Sequence, residues 1–171
     1  MTIRRIVPFG TPVLHARTRP VERFDDELRL LVADMYETMD DAPGAGLAAN
    51  QVGVDLRVFV YDCGPDARGC LVNPVLERLD GGLQDGGEGC LSAPGLGYPT
   101  PRALNVRCSG FDEHGVARVV TASGYLARCF QHEVDHLDGV VYVQRLGGKA
   151  RRRAERDVVG SAWYQRSTVD F

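Results

Sequence analysis

His132 and His136 stand four residues apart, with Glu133 directly after the first, in the run His132-Glu133-Val134-Asp135-His136. On a helix that spacing puts both imidazoles on one face, where they can reach a single metal ion. Glu133 is then placed to take a proton from a water on that ion without ligating it. Such an ion lowers the pKa of its water from about 16 toward about 7 in the most favourable zinc sites, which makes a nucleophile at neutral pH. Two histidines leave the site short of a third protein ligand. Ala127, Phe130, Val134 and Leu137 supply the apolar side of a core helix. Two histidines and a glutamate in that setting would be costly if they had no work to do.

Three kinds of third ligand are open to the residues alone. A further histidine soon after His136, as in one class of metalloproteases, is not present. A downstream glutamate, as in thermolysin-like proteases, has a counterpart in Glu155. That residue stands among Arg151, Arg152, Arg153 and Arg156, a pattern expected of a solvated helix face. The third option is a cysteine. Cys90 lies in Glu88-Gly89-Cys90-Leu91-Ser92, a small polar loop suited to exposing a thiolate. Cys63, Cys70, Cys108 and Cys129 sit in apolar or strand-like runs, where cysteine commonly behaves as a small buried hydrophobe.

The elements that must position these residues follow from periodicity. Residues 24–40 read as an amphipathic helix, with Leu28, Leu31, Val32, Met35 and Met39 at helical spacing and Asp25 or Asp26 as cap. A second helix is expected over residues 123–138, with Ser123 as N-cap and Gly139 as stop. Strands are expected at residues 57–61, 69–73, 75–79, 104–111 and 116–121, and a short one at 140–143. Asp112-Glu113-His114-Gly115 forms a natural hairpin turn between two of them. A glycine-rich loop, residues 81–89, leads into Cys90. Strands outnumber helices and rarely alternate with them. The expected fold is therefore α+β, with antiparallel sheets packed around a central helix that carries the HExxH motif.

With 171 residues, 44% hydrophobic and 25% charged, the chain has the composition of an ordinary globule able to bury a core unaided. A metal here is accordingly expected to serve chemistry rather than folding. One domain is expected over residues 1–171, with 149–171 a basic C-terminal segment and tail. A net charge of −3 gives no global drive toward nucleic acid, and no specific DNA binding is expected. No apolar run approaches the length of a membrane span. Residues 1–10 carry two arginines but no apolar stretch after them, unlike a secretory signal. Five scattered cysteines form no disulfide framework, so a cytoplasmic location is expected.

Three short stretches, in order, carry a resemblance to a known family. Gly44-Ala45-Gly46-Leu47-Ala48-Ala49-Asn50-Gln51, then Glu88-Gly89-Cys90-Leu91-Ser92, then His132-Glu133-Val134-Asp135-His136 match the GxGLAAxQ, EGCLS and HExDH motifs of peptide deformylases. Val7-Pro8, Asn73-Pro74, Pro101-Arg102 and Gln131 extend the likeness across about 150 residues. The resemblance implies that Cys90, His132 and His136 bind one divalent metal ion, with a water completing a tetrahedron. It implies ferrous iron as the ion, with zinc, nickel or cobalt able to substitute. Glu133 is implied as the general base that later protonates the departing amine. The Gln51 side-chain amide and the Leu91 backbone N–H are implied to hold the oxyanion. The reaction is removal of the formyl group from N-formylmethionyl peptides, releasing formate. Thiolate ligation also makes such a site vulnerable to oxidation.

Gly44 and Gly46 read either as turn residues or as places where a peptide backbone approaches and pairs as an added strand. By position relative to the motifs, Gly86, Tyr125, Arg128 and Cys129 should line the methionine pocket. Many family members are aliphatic at the places of Gly86, Tyr125 and Arg128, so this chain departs from them there. The stem of Arg128 is expected to pack while its head reaches water. Asp135 and Arg102 are expected to brace the helix against the strands, and Glu88 to orient a ligating histidine. His15 and His114 are expected at the surface. The basic stretch 145–156 suits either a transient contact with ribosomal RNA or a merely solvated helix. Three rival readings are a specialised deformylase with an altered pocket, a thermolysin-like protease using Glu155, and an inactive metal-binding relative. Glu133 and Gln51, useful only for turnover, argue against the last.

Overall fold

The computed structural model describes residues 2–164. The N-terminal segment runs along the first helix, with Thr2 N–H donating to Asp34 Oδ1 at 2.7 Å and Arg4 N–H to Thr38 Oγ1 at 2.9 Å. That helix, α1 (Asp26–Asp41), starts where the Asp25 carboxylate accepts the Leu28 N–H. Asp26 and Glu27 in its first turn suit the positive end of the helix dipole. Leu28, Leu31, Val32, Met35 and Met39 form its buried stripe. The helix begins two residues later than expected because Asp25 is its cap. Phe24 instead packs edge-on against Phe111, with ring centroids 5.6 Å apart.

Among the described residues nine strands follow: β1 (Gly46–Ala48), β2 (Val58–Asp62), β3 (Arg68–Arg78), β4 (Leu83–Gln84), β5 (Gly87–Gly89), β6 (Gly97–Pro99), β7 (Arg102–Ala103), β8 (Asn105–Phe111) and β9 (Ala117–Ser123). Five make one antiparallel sheet in the order β1-β2-β3-β8-β9, while β4 pairs with β7 and β5 with β6. In β2, Val58 and Val60 face the α1 cluster, whereas Phe59 and Tyr61 face the opposite way. Cys70 and Val72 of β3 share the α1 side, and Leu71 the other. This two-residue alternation covers both faces of the sheet. The second face receives α2 (Gly124–Leu137), through Ala127, Phe130, Val134 and Leu137. Residues 127–137 of α2 are all buried. The expected α+β arrangement, with antiparallel sheet packed on the motif-bearing helix, is what the chain adopts.

Three expectations need correction. The two strands expected over residues 69–79 are one, Arg68–Arg78. Pro74 sits at a bulge between Val72 and Val75, where a missing N–H is tolerated. Asn73 there has φ of 51°, and its side chain exchanges two 2.8 Å bonds with the backbone of Val21, which pins the bulge. Residues 140–143 are not a strand. Tyr142–Arg145 forms a 3₁₀ turn whose Gln144 side chain accepts the Val141 N–H at 2.8 Å. A short apolar run does not reveal its own conformation. Here it is buried against Phe9, Leu14 and Tyr98, and no strand among the described residues pairs with it. Ser123 does occupy the N-cap position of α2, but its side chain makes no capping bond. The basic stretch forms α3 (Gly148–Val159), seated in the same cluster through Ala154 and Val158. Residues 165–171 of the expected tail lie outside the described residues.

Gly139 ends α2 with φ of 80°, and a Cβ there would stand 2.9 Å from the carbonyl carbons of both His15 and Ala16. Gly139→Ala therefore combines left-handed strain with a backbone clash. It should cost about 2–3 kcal/mol of stability in urea unfolding. An unchanged midpoint would contradict this account of how α2 terminates.

Candidate active site

Helical spacing on α2 brings His132 Nε2 to 3.1 Å from His136 Nε2, and Cys90 Sγ lies 3.1 Å from His136 Nε2. These three donor atoms all fall within 4.8 Å of one another. A thiol sulfur and two ring nitrogens aimed at one point repel unless a proton or a cation sits among them. With both histidines buried and Cys90 half-buried, the set has the thiolate and imidazole chemistry that transition metals favour and fits a divalent ion. Burial holds His136 well below its usual pKa, in the direction of the neutral ring that metal ligation requires.

Elements distant in sequence hold this cluster. Glu88 on β5 places Oε1 2.7 Å from His132 Nδ1. That bond puts the proton on Nδ1 and turns the Nε2 lone pair inward. Arg102 on β7 grips both oxygens of Glu88, at 2.6 and 3.0 Å, and reaches Asp135 Oδ2 at 2.5 Å. Arg145 binds Asp135 from the other side. The expected bracing by Asp135 and Arg102 is thus present. Burial alone would raise the Glu88 carboxyl, but bonds from His132 and Arg102 outweigh it and bring the pKa down to about 2. Asn50, fully buried, donates to the His136 carbonyl and ties the Gly44–Gln51 stretch to the end of α2. Val7 N–H donates to the Gln51 carbonyl at 2.9 Å and Phe9 N–H to that of Ser92 at 2.7 Å. One extended segment therefore clamps two motif loops side by side.

A cavity of about 460 Å³ opens over the cluster. Glu133 lines it and is almost fully buried, with Oε2 lacking a hydrogen-bond partner among the described residues. Burial pushes its pKa up to about 7, against the opposing pull of His132. Gln51 Oε1 accepts the Ala48 N–H at 2.9 Å, which turns Nε2 toward Ser92 Oγ at 3.3 Å and Cys90 Sγ at 3.6 Å. Leu91, Gly44 and Gly46 also line the cavity. A Cβ on Gly46 would stand 2.5 Å from Glu133 Oε1, so any side chain there must displace the Glu133 carboxylate.

Of the expected pocket residues, Tyr125, Arg128 and Cys129 line the cavity and Gly86 does not. Gly86 lies behind Arg128, where a Cβ would meet Nη2 at 3.1 Å. Arg128 does not reach water. It is 6% exposed, and its guanidinium binds Glu88 Oε2 at 3.0 Å, the Thr100 carbonyl at 2.7 Å and the Gln84 carbonyl at 3.4 Å. A buried carboxylate supplied the partner that a sequence reading of Arg128 lacked. His114 is exposed as expected. His15 is half-buried, edge-on to Phe9 and accepting the Gly10 N–H at 3.2 Å. Glu155 pairs with Arg151 at 3.0 Å on α3 and takes no part in the donor cluster. Sequence reasoning missed Asn50, Ser92, Pro94 and Leu96. Only Asn50 carried a signal, as an amide in an otherwise apolar run.

The sequence matches the family described as polypeptide deformylase over residues 3–152. The chain belongs to the polypeptide deformylase family. It is 52% identical over 163 residues to a peptide deformylase of Acidothermus cellulolyticus, covering 95% of this chain and 89% of the relative. It is 49% identical over 175 residues to peptide deformylase 2 of Corynebacterium efficiens, covering 95% and 90%. Its fold is similar to a crystal structure of a Synechococcus elongatus peptide deformylase in complex with actinonin, with a TM-score of 0.87 and 37% identity over 98% of this chain and 92% of that one. As a polypeptide deformylase the chain is a hydrolase that removes the N-formyl group from nascent peptides. The family is metal-dependent, and the Cys90, His132 and His136 cluster could hold a metal. Family membership overturns the thermolysin-like alternative.

Burial of Arg128 has a measurable consequence. Arg128→Met leaves Glu88 short of one charge partner and two carbonyls short of a donor. It should cost about 2–4 kcal/mol in urea unfolding, against less than about 0.5 kcal/mol for an arginine whose head reached water.

Proposed function

We propose that Cys90, His132 and His136 hold the metal ion of this deformylase and that Glu133, Gln51 and Leu91 carry the proton transfer and charge stabilisation. The observation that supports this most is the convergence of three donor atoms beneath a cavity that Glu133 lines. Ferrous iron is the ion we assign, with zinc, nickel or cobalt able to replace it; the mixed sulfur and nitrogen donor set accepts each of these. When bound, the ion activates water and polarises the formyl carbonyl.

Glu133 accepts a proton from the attacking water as the water oxygen bonds to the formyl carbon. A carboxyl poised near neutrality can take that proton and give it up again. As negative charge gathers on the carbonyl oxygen, the Gln51 Nε2–H and the Leu91 backbone N–H donate to it. The carbon–nitrogen bond then breaks, Glu133 returns the proton to the departing amine, and formate leaves. Gly44 and Gly46 let the peptide main chain approach beside β1, where backbone pairing ignores side-chain identity. Tyr125, Arg128 and Cys129 wall the pocket for the methionine side chain, with Gly86 making room for Arg128.

The substrates are N-formylmethionyl peptides in the cytoplasm. No helix among the described residues is long and apolar enough to cross a membrane. Residues 1–171 act as one domain, with 149–171 its basic C-terminal segment. Lys149, Arg152, Arg153 and Arg156 are exposed on α3 and available for a transient ribosome contact. Arg145 at the start of that stretch is engaged with Asp135. Arg128 in the wall favours a second reading, the same reaction with a changed preference for the first side chain. Comparing kcat/KM for formyl-Met and formyl-Glu peptides separates the two.

The test is formate release from formyl-Met-Ala-Ser by protein loaded with ferrous iron under exclusion of oxygen. Glu133→Ala should retain the ion and lose about 10²–10⁴-fold in kcat. Gln51→Ala should lose about 10²-fold. Cys90→Ala should lose bound metal, whereas Glu155→Ala should keep it. Wild-type turnover in Glu133→Ala, or full metal content in Cys90→Ala, would sink the assignment. Gly46→Ala should also lose turnover while keeping the ion, because its methyl displaces the Glu133 carboxylate.

A further inference from the structure

Two cysteines outside the donor cluster meet behind the groove wall. Cys63 directly follows β2, and Cys129 lies on α2 one turn before Glu133. Both thiols donate to the same acceptor, the Ala45 carbonyl oxygen, at 3.7 and 3.3 Å. Two thiols from separate elements thus share one acceptor. The neighbouring Cys129 thiol lowers the Cys63 pKa, and Cys63 together with burial raises that of Cys129. Cys63 is half-buried and Cys129 buried, so an incoming small oxidant meets Cys63 first. Cys70 differs: its thiol donates to Glu113 at 3.0 Å, and burial pushes its pKa up. Burial likewise pushes Cys108 up to about 12.

The position gives the pair a consequence. Ala45 and Cys129 both line the cavity, and a Cβ on Gly46 would stand 2.9 Å from Cys129 Sγ. Ala45 belongs to the segment that the peptide backbone is to approach. Its carbonyl accepts from the Asp62 N–H at 2.9 Å as well as from the two thiols.

We propose that Cys63 and Cys129 form a peroxide-reactive dithiol that closes to a reversible disulfide in the wall of the substrate groove. Cys63 Sγ attacks one oxygen of hydrogen peroxide; the O–O bond breaks, and a sulfenic acid forms as one water leaves with the thiol proton. Cys129 Sγ then attacks the Cys63 sulfur. The S–S bond forms, the S–O bond breaks, and the hydroxyl departs with the Cys129 proton as a second water. The two thiols lose two electrons and the peroxide gains them. The Ala45 carbonyl thereby loses both thiol donors, and α2 becomes tied to the end of β2.

The experiment treats zinc-loaded full-length protein with hydrogen peroxide, zinc being inert to redox chemistry. Denatured protein should fall from five titratable thiols by two and lose two hydrogens in mass. Peptide mapping should recover a single species joining Cys63 to Cys129, and a phosphine reductant should reverse it. The KM for formyl-Met-Ala-Ser should rise on oxidation and return on reduction, while Cys63→Ser should keep its KM under the same treatment. Recovery of Cys63 and Cys129 on separate peptides, or a cross-link to Cys90 instead, overturns the proposal. So does an equal rise of KM in Cys63→Ser. The mapping needs no turnover, so its outcome is separate from that of the deformylase mechanism.

Discussion

The buried carboxylate of Glu88 is the constraint on which the rest of the site depends. It sits 5% exposed, ringed by Arg102, Arg128 and His132. An ion removed from water is tolerated only when its partners satisfy it from several directions. Here they arrive from β7 and from two turns of α2, so the charge joins elements distant in sequence. The same contact fixes the tautomer of His132, which makes a requirement of the interior serve the orientation of that ring. Asp135 repeats the pattern with Arg102 and Arg145. The two carboxylates and three guanidiniums form one continuous polar seam along a helix otherwise packed in apolar surroundings.

Around that seam the apolar architecture is simple. Alternate residues of β2 and β3 divide between α1 and α2, so the sheet is a shared wall with a helix on each side. The short strand β1 lies at its edge, beside the cavity. The extended segment at residues 7–9 fastens the Gln51 and Ser92 backbones together. Gln51 and the loop that carries Cys90 are therefore positioned by main-chain bonds, and the two histidines by a helix. Each part is held by what is stiffest nearby.

How much of this was legible in the sequence varied with the range of the cause. His132, Glu133 and His136 were legible because helix geometry alone relates them. Cys90 was one option among three until the neighbouring motifs were taken together, since a loop of small residues does not announce what it faces. The two main helices and most strands followed from periodicity, which is local. Residues 69–73 and 75–79 were read as separate strands because the bulge that joins them is pinned by Asn73 to Val21, about fifty residues earlier in the chain. Residues 140–143 were misread because burial in a turn and burial in a strand leave the same apolar trace. Arg128 was misread because its electrostatic partner lies forty residues away on another element.

Arg128 also bears on how this enzyme can change over time. A side chain that only lined the cavity could be exchanged freely to exclude an unwelcome inhibitor. This one simultaneously closes the charge ring of Glu88 and satisfies the carbonyls of Thr100 and Gln84. Substitution there would weaken the fold along with the contact. A compound that leans on Arg128 would thus press on a position where resistance and stability are in conflict, and escape would need compensating changes arriving together.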